Sequence, residues 1–284
     1  LMPLWIGFIE ASSSSIGHQI ANAHTMFNIC NTILFLPFVK PFAALIRKII
    51  PDADRIDRRD AAYLDPHLIQ RTPVVAVSAV KHECRHMGEI VLELLDRTEK
   101  VFFEEKDDEK EEVLRLEEKI DRLETAIRSY ASDIMQTGLD GKDADMLEAC
   151  VVSAGDLERI GDKGKRLIDF YEYRRKRGDD FSSAAMNEIR SLFFETRRAV
   201  RLALDVFGSE PFTAREKETL DALADHIREL ESSLRASHAS RLSAGHCSPE
   251  SGLVFIDVLG AIEQIAYRSR KIADHMAGRQ SAEA

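Results

Sequence analysis

The sequence predicts an all-α protein: a terminal transmembrane helix or hairpin followed by two tandem three-helix bundles. Three observations lead there. From about position 73 onward, apolar residues recur at alternating spacings of three and four, the period of helices with one buried stripe. The composition, 14 Gly and 8 Pro in 284 residues with 31% charged, suits long helices. The second half also repeats the first at an offset of 105 to 107 residues.

Residues 1–50 are the expected remnant of a membrane domain. The segment from Ile20 to Val39 is long enough, as a helix, to reach across a hydrocarbon layer of ~30 Å. His24, Asn28, Asn31 and Pro37 interrupt it, so those polar groups should face other helices or a water-filled cavity, not acyl chains. A buried helix of a soluble protein is the plainer alternative. Lys40, Arg47, Lys48, Arg55, Arg58 and Arg59 follow, which places everything after about residue 50 in the cytoplasm by the positive-inside rule. The chain opens on Leu1 without the charged region or cleavage site of a signal peptide, and reads as truncated at its start. Residues 51–72 form a juxtamembrane linker.

The first bundle is expected over 73–176 and the second over 177–278. Val77, Val80, Cys84, Met87, Val91 and Leu94 form one helical stripe, and Val113, Leu116, Ile120, Leu123, Ile127, Tyr130 and Ile134 form the next. Helix starts are signalled by Thr72-Pro73, Asp145 with Glu148, Thr213 with Glu216, and Ser248-Pro249. A shift of 105 carries Glu83, Val101, Phe102, Glu158 and Ile160 onto Glu188, Val206, Phe207, Glu263 and Ile265. A shift of 107 carries Ile120, Leu123, Glu124 and Arg128 onto Ile227, Leu230, Glu231 and Arg235.

Thirty-six basic and 48 acidic residues follow position 50, a net charge of −12 that argues against nucleic acid as a partner. Cys30, Cys84, Cys150 and Cys247 form no C-x-x-C pair and read as reduced, structural thiols of a cytoplasmic compartment.

Glu117 and Asp121 are four residues apart, as are Glu158 and Asp162. The midpoints of the two pairs average to 139.5, close to the Gly138–Gly141 turn, so in an antiparallel hairpin both stand at the same height. Like charges at this spacing are unfavourable by roughly 0.2–0.5 kcal/mol per pair, and a cation would offset them. Four carboxylates suit iron, manganese, magnesium or calcium better than zinc. The same residues are equally consistent with a solvated face neutralised by Lys119, Arg122, Arg159 and Lys163. In the second repeat Tyr267 and Arg228 stand in place of Asp162 and Asp121, while Glu263, Asp225 and Glu229 remain. His82 and His86 share a helical face as half of a zinc site, but no second half is in register, and an exposed or capping role is the expected one. The acidic run 104–112 reads as a solvated turn, and the glycines near 138–141 and 178 lack a phosphate-loop context. The residues supply no general base beside an open metal position, so a hydrolase is not expected.

These residues carry a resemblance. Residues 73–276 resemble the PhoU family of two tandem three-helix bundles that bind multinuclear metal clusters on their surface through E(D)-x-x-x-D motifs. LEEKIDRLE (116–124) and DLERIGD (156–162) are similar to the two motifs of a first bundle, which implies ligand roles for Glu117, Asp121, Glu158 and Asp162. GAIEQIAYRSRKIADHM (260–276) is similar to the equivalent of a second bundle, with Tyr267 departing from it. AHTMFNICNTILFLPF (23–38) and the stretch 62–87 are similar to the membrane-to-cytoplasm junction of bacterial sodium/phosphate cotransporters with a fused PhoU-like domain.

The resemblance implies the C-terminal part of a sodium-dependent phosphate symporter of the inner membrane. Phosphate, sodium as coupling ion, membrane lipid, and a surface cluster of iron, manganese or magnesium would be its partners, with phosphate-signalling proteins or self-association as further contacts. No transport role carries to Ser12–Ser15, which sit in a loop position. The alternative is a membrane-tethered adaptor that does not transport.

Overall fold

A computed structural model describes residues 7, 9, 11–13, 15–38, 41, 60–139, 141–178, 181–208, 212–245 and 247–280. Among them every regular element is helical. Two compact units divide at residues 55 and 56.

In the first unit, helix α1 runs Ile16–Phe35 and continues as a 3-10 turn, Leu36–Phe38. The expected span from Ile20 to Val39 is helical through Phe38, and Val39 lies outside the described residues. Among the described residues no helix is long and apolar enough to cross a membrane. The reason is visible in α1: His18, Gln19, Asn22, His24, Asn28 and Asn31 dilute its apolar residues, although Thr25 and Thr32 return their hydroxyls to the carbonyls of Ala21 and Asn28. Ile20, Phe27, Ile33 and Leu34 are exposed. The basic residues that set the expected orientation, Lys40, Arg47, Lys48, Arg55, Arg58 and Arg59, lie outside the described residues.

The second unit begins with α2 (Pro66–Arg71), capped by Asp65, whose carboxylate accepts from the His67 N–H at 2.9 Å. Six long helices follow among the described residues: α3 (Pro73–Glu104), α4 (Lys110–Met135), α5 (Gly141–Arg177), α6 (Ser183–Leu204), α7 (Ala214–Ser243) and α8 (Pro249–Gln280). The local signals explain most boundaries. Thr213 and Glu216 form the full reciprocal capping box of α7, and Ser248 accepts from the Ser251 N–H at the start of α8. Pro73 opens α3 as expected, though Thr72 makes no side-chain cap. The start inferred at Asp145 is one turn late, because α5 already begins at Gly141. Glu105, Gly138, Gly178 and Gly245 take positive φ at or just beyond helix ends, so these glycines stop helices and do not cradle phosphate.

Every residue of the two predicted stripes, Val77 to Leu94 and Val113 to Ile134, is buried. Helices α3, α4 and α5 pack as one three-helix set and α6, α7 and α8 as another, joined chiefly where α5 packs on α8. Glycine permits two of the closest approaches. A Cβ at Gly164 would collide with the Leu94 side chain, and one at Gly88 with Leu204. The repeat holds in the core, where Val101 and Phe102 and their counterparts Val206 and Phe207 are all buried, the first pair in an α-helix and the second in a 3-10 turn.

Candidate functional site

Helices α4 and α5 form the antiparallel pair that the mirror spacing required. Their facing surfaces bring oxygen atoms of Glu117, Asp121 and Asp162 within 4.8 Å of one another. Glu117 is the deep member, 4% exposed, while Asp121 and Asp162 reach solvent. Glu158, half-buried one turn earlier on α5, is not within that triad but belongs to its field. Burial, then the charges of Asp162, Asp121 and Glu124, push its carboxyl up to about 7. Burial, with Glu117 and Asp162, likewise raises Asp121. Burial and mutual repulsion thus favour the neutral forms of Glu158 and Asp121.

Sequence reasoning placed the counter-charges only in part. Arg122 pairs with Asp60 at 2.7 Å, whereas Arg159, though paired with Asp156 at 3.2 Å, still lowers the Glu158 carboxyl by its charge. A cation the sequence reading missed is Lys165, whose Nζ donates to Glu117 Oε1 at 2.6 Å. It was legible in retrospect: Lys165 lies three residues beyond Asp162, on the same face, and helical side chains lean toward the N-terminus, hence back to the height of Glu117. Glu124, paired with Arg128 at the edge of the cluster, was also missed as a contributor to the Glu158 field.

The donor set fits a hard cation. It offers several carboxylate oxygens from two rigid helices, two of them on exposed side chains, and its raised carboxyls would ionise fully beside an ion.

The second bundle has the same scaffold with different charge. Burial and Glu231 raise the Glu263 carboxyl, whereas Arg228 and Arg235 oppose the rise. Arg228 pairs with Asp225 at 3.0 Å, Arg270 bridges Asp221 and Asp225, and Arg235 pairs with Glu231. Arginines thus pair with the carboxylates at this position of the second bundle, where the first bundle has a cluster of acids.

His82 and His86 do not join a metal-ligating group among the described residues. His86 Nδ1 is 2.7 Å from Glu83 Oε1, and both imidazoles flank the Tyr63 ring. The acidic run 104–112 is more than a solvated turn, since Glu109 pairs with Arg97 and Lys100 and Glu112 with Arg115. Cys84 and Cys150 are buried, and all four cysteines are free.

Comparison with known proteins adds to this geometry. Residues 84–170 match the PhoU domain family. A curated relative from Escherichia coli K12, "Putative inorganic phosphate export protein YjbB", is 24% identical over 248 residues, covering 85% of this chain and 44% of the relative. The chain therefore spans less than half the length of the curated relatives it matches. The crystal structure of PhoU from Pseudomonas aeruginosa is similar with a TM-score of 0.66 at 18% identity, covering 72% of this chain and 96% of that one. The phosphate transport system regulatory protein PhoU from Streptococcus pneumoniae gives 0.65 at 13% identity, covering 73% of this chain and 96% of its own. Residues 84–170 thus match the PhoU domain, within a helical bundle of PhoU-like fold.

Proposed function

We propose that residues 56–284 form a metal-dependent, phosphate-responsive regulatory domain of a sodium-dependent phosphate symporter, which acts from the cytoplasmic side of the inner membrane. The observation that carries the reading is the convergence of Glu117, Asp121 and Asp162 on a PhoU-like first bundle, with Glu158 beside them. Iron, manganese or magnesium would be held by those carboxylates, and the cation would invert the local acidic field so that phosphate could approach. The name of the E. coli relative, a phosphate exporter, supports the link to phosphate movement. The exposed apolar residues of α1 support a role for that helix among other membrane helices of a longer assembly. Surface carboxylates with a lysine at their base suit ion and anion sensing better than bond cleavage, so the domain is read as a regulator and not an enzyme.

The test pairs metal content with phosphate flux. The full chain and its Asp121→Asn/Asp162→Asn variant are analysed for bound iron, manganese and magnesium, and cells producing each are assayed for sodium-dependent phosphate uptake. Expected is metal in the parent only, and flux regulated by the parent but insensitive in the variant. Equal metal in both sinks the reading. A parent that alters phosphate signalling with no change in flux would favour the tethered adaptor.

A further inference from the structure

A second charged cluster lies where α5 packs on α8, built on one carboxylate and joined to the acidic site through Arg159, whose charge also acts on Glu158. Asp156 has a side chain only 3% exposed. Its Oδ1 accepts from Arg159 NH1 at 3.2 Å and from Arg268 NH1 at 3.0 Å, and its Oδ2 is 3.4 Å from His275 Nε2. Two guanidinium groups against one carboxylate leave a surplus of one positive charge within this trio. Each guanidinium has five N–H donors, of which these bonds to Asp156 use one apiece.

Both arginines also reach solvent, with side chains 52% exposed at Arg159 and 32% at Arg268. The surface beside Arg159 is open: a Cβ added at Gly155 would have only Arg159 NH1 within 4 Å, at 3.9 Å. Arg268 is steadied from its other side by Tyr267, whose ring centroid is 5.5 Å from its Cζ, and Lys271 approaches the same ring at 5.7 Å. A buried acid that fixes two forked cations beside an open surface prepares them for an oxyanion, because the guanidinium fork matches a phosphate group with paired hydrogen bonds.

We infer that Arg159, Arg268 and His275, held by Asp156, form a binding site for a phosphate group at the seam between the two bundles. The site requires no metal. It deepens the phosphate-responsive reading above, yet stands or falls separately from the acidic cluster on α4 and α5.

The test uses the full chain in EDTA at constant ionic strength, titrated with inorganic phosphate and, in parallel, with glycerol phosphate as a monoester. Binding is read from phosphorus NMR line widths. Saturable binding is expected, weakened about tenfold or more in Arg159→Gln and in Arg268→Gln, as for a lost charged hydrogen bond. It should be unchanged in Asp121→Asn/Asp162→Asn. Arg159→Gln protects the experiment against simple unfolding, since Arg159 contacts Asp156 within its own helix and leaves the links to Arg268 and His275 intact. A response to the ester alone assigns the site to an esterified phosphate. Response to neither anion, binding by both arginine variants as tight as the parent's, or binding that appears only with added metal overturns the site.

Discussion

Lys165 Nζ lies 2.6 Å from Glu117 Oε1, so the deepest carboxylate of the acidic cluster already holds a cation. The lysine, half-exposed itself, does for Glu117 what a metal ion would do for all four carboxylates. Lys165→Met should therefore act in two directions. Without metal it leaves Glu117 buried and unpaired, and costs about 1 kcal/mol once the solvent exposure of the lysine is discounted. With manganese present the competitor is gone and affinity should rise. Thermal unfolding with and without manganese reads both effects. A variant that binds manganese more weakly than the parent would show that Lys165 supports the ion and does not compete with it.

Glu158 supplies a pH dependence with a definite sign. Its carboxyl is raised from its ordinary 4.5 to about 7 by burial and by Asp162, Asp121 and Glu124. A raised carboxyl favours the folded state while it stays protonated. That contribution is fully present below the ordinary value and is lost as pH rises from there through about 7. Glu158→Gln should thus stabilise the metal-free protein at pH ~8 by about 1 kcal/mol, discounted for partial exposure, and change little at pH ~4. Denaturant unfolding at both pH values measures it. An equal effect at the two would place the cause in packing and not in charge.

The segment ahead of α3 is fastened to the bundle through Glu83, which is 0% exposed. One carboxylate oxygen accepts from the Tyr63 N–H at 2.7 Å and the other meets His86 Nδ1 at 2.7 Å. Asp60 adds its pair with Arg122, and the Tyr130 hydroxyl donates to the Asp65 carbonyl at 2.7 Å. Glu83→Ala strands a buried N–H and an imidazole, at a cost of about 2–3 kcal/mol. Hydrogen exchange should rise first at residues 60–65. Uniform acceleration across α3 instead would mean that Glu83 supports the core and not the docked segment.

How much of this was legible follows from what each signal depends on. The buried stripe Val77 to Leu94 was readable because a period of three and four is set by the helix itself. Glu117, Asp121 and Asp162 were readable as neighbours because mirror spacing about a turn survives any choice of side-chain rotamer. Their counter-ions were not. Arg159 pairs with Asp156 three residues earlier on its own helix, whereas Arg122 turns to Asp60 in the preceding segment, a partner fixed only by tertiary packing. The pairing of Asp156 with Arg268, 112 residues away, was hidden for the same reason. The apolar run of α1 suggested a membrane span from its large residues, while its asparagines and histidines keep it short of one.

Two glycines on α5 should respond oppositely to alanine, and the difference tests how the bundle closes. Gly164 faces α3, where a Cβ would run into Leu94 Cδ2, with Thr98 Oγ1 at 3.5 Å and Leu95 Cδ2 at 3.6 Å behind it. Leu94, Leu95 and Thr98 are fully buried, so none can swing aside into solvent. Gly164→Ala must push α3 and α5 apart, and overpacking of this kind costs about 1–3 kcal/mol. Gly155 lies on the same helix with only Arg159 NH1 nearby, at 3.9 Å. There alanine gains helix propensity without a clash, which stabilises by about 0.5–1 kcal/mol. Denaturant midpoints for the two variants should therefore move in opposite directions from the parent. A Gly164→Ala protein as stable as the parent would show that α3 and α5 do not pack at the closeness described.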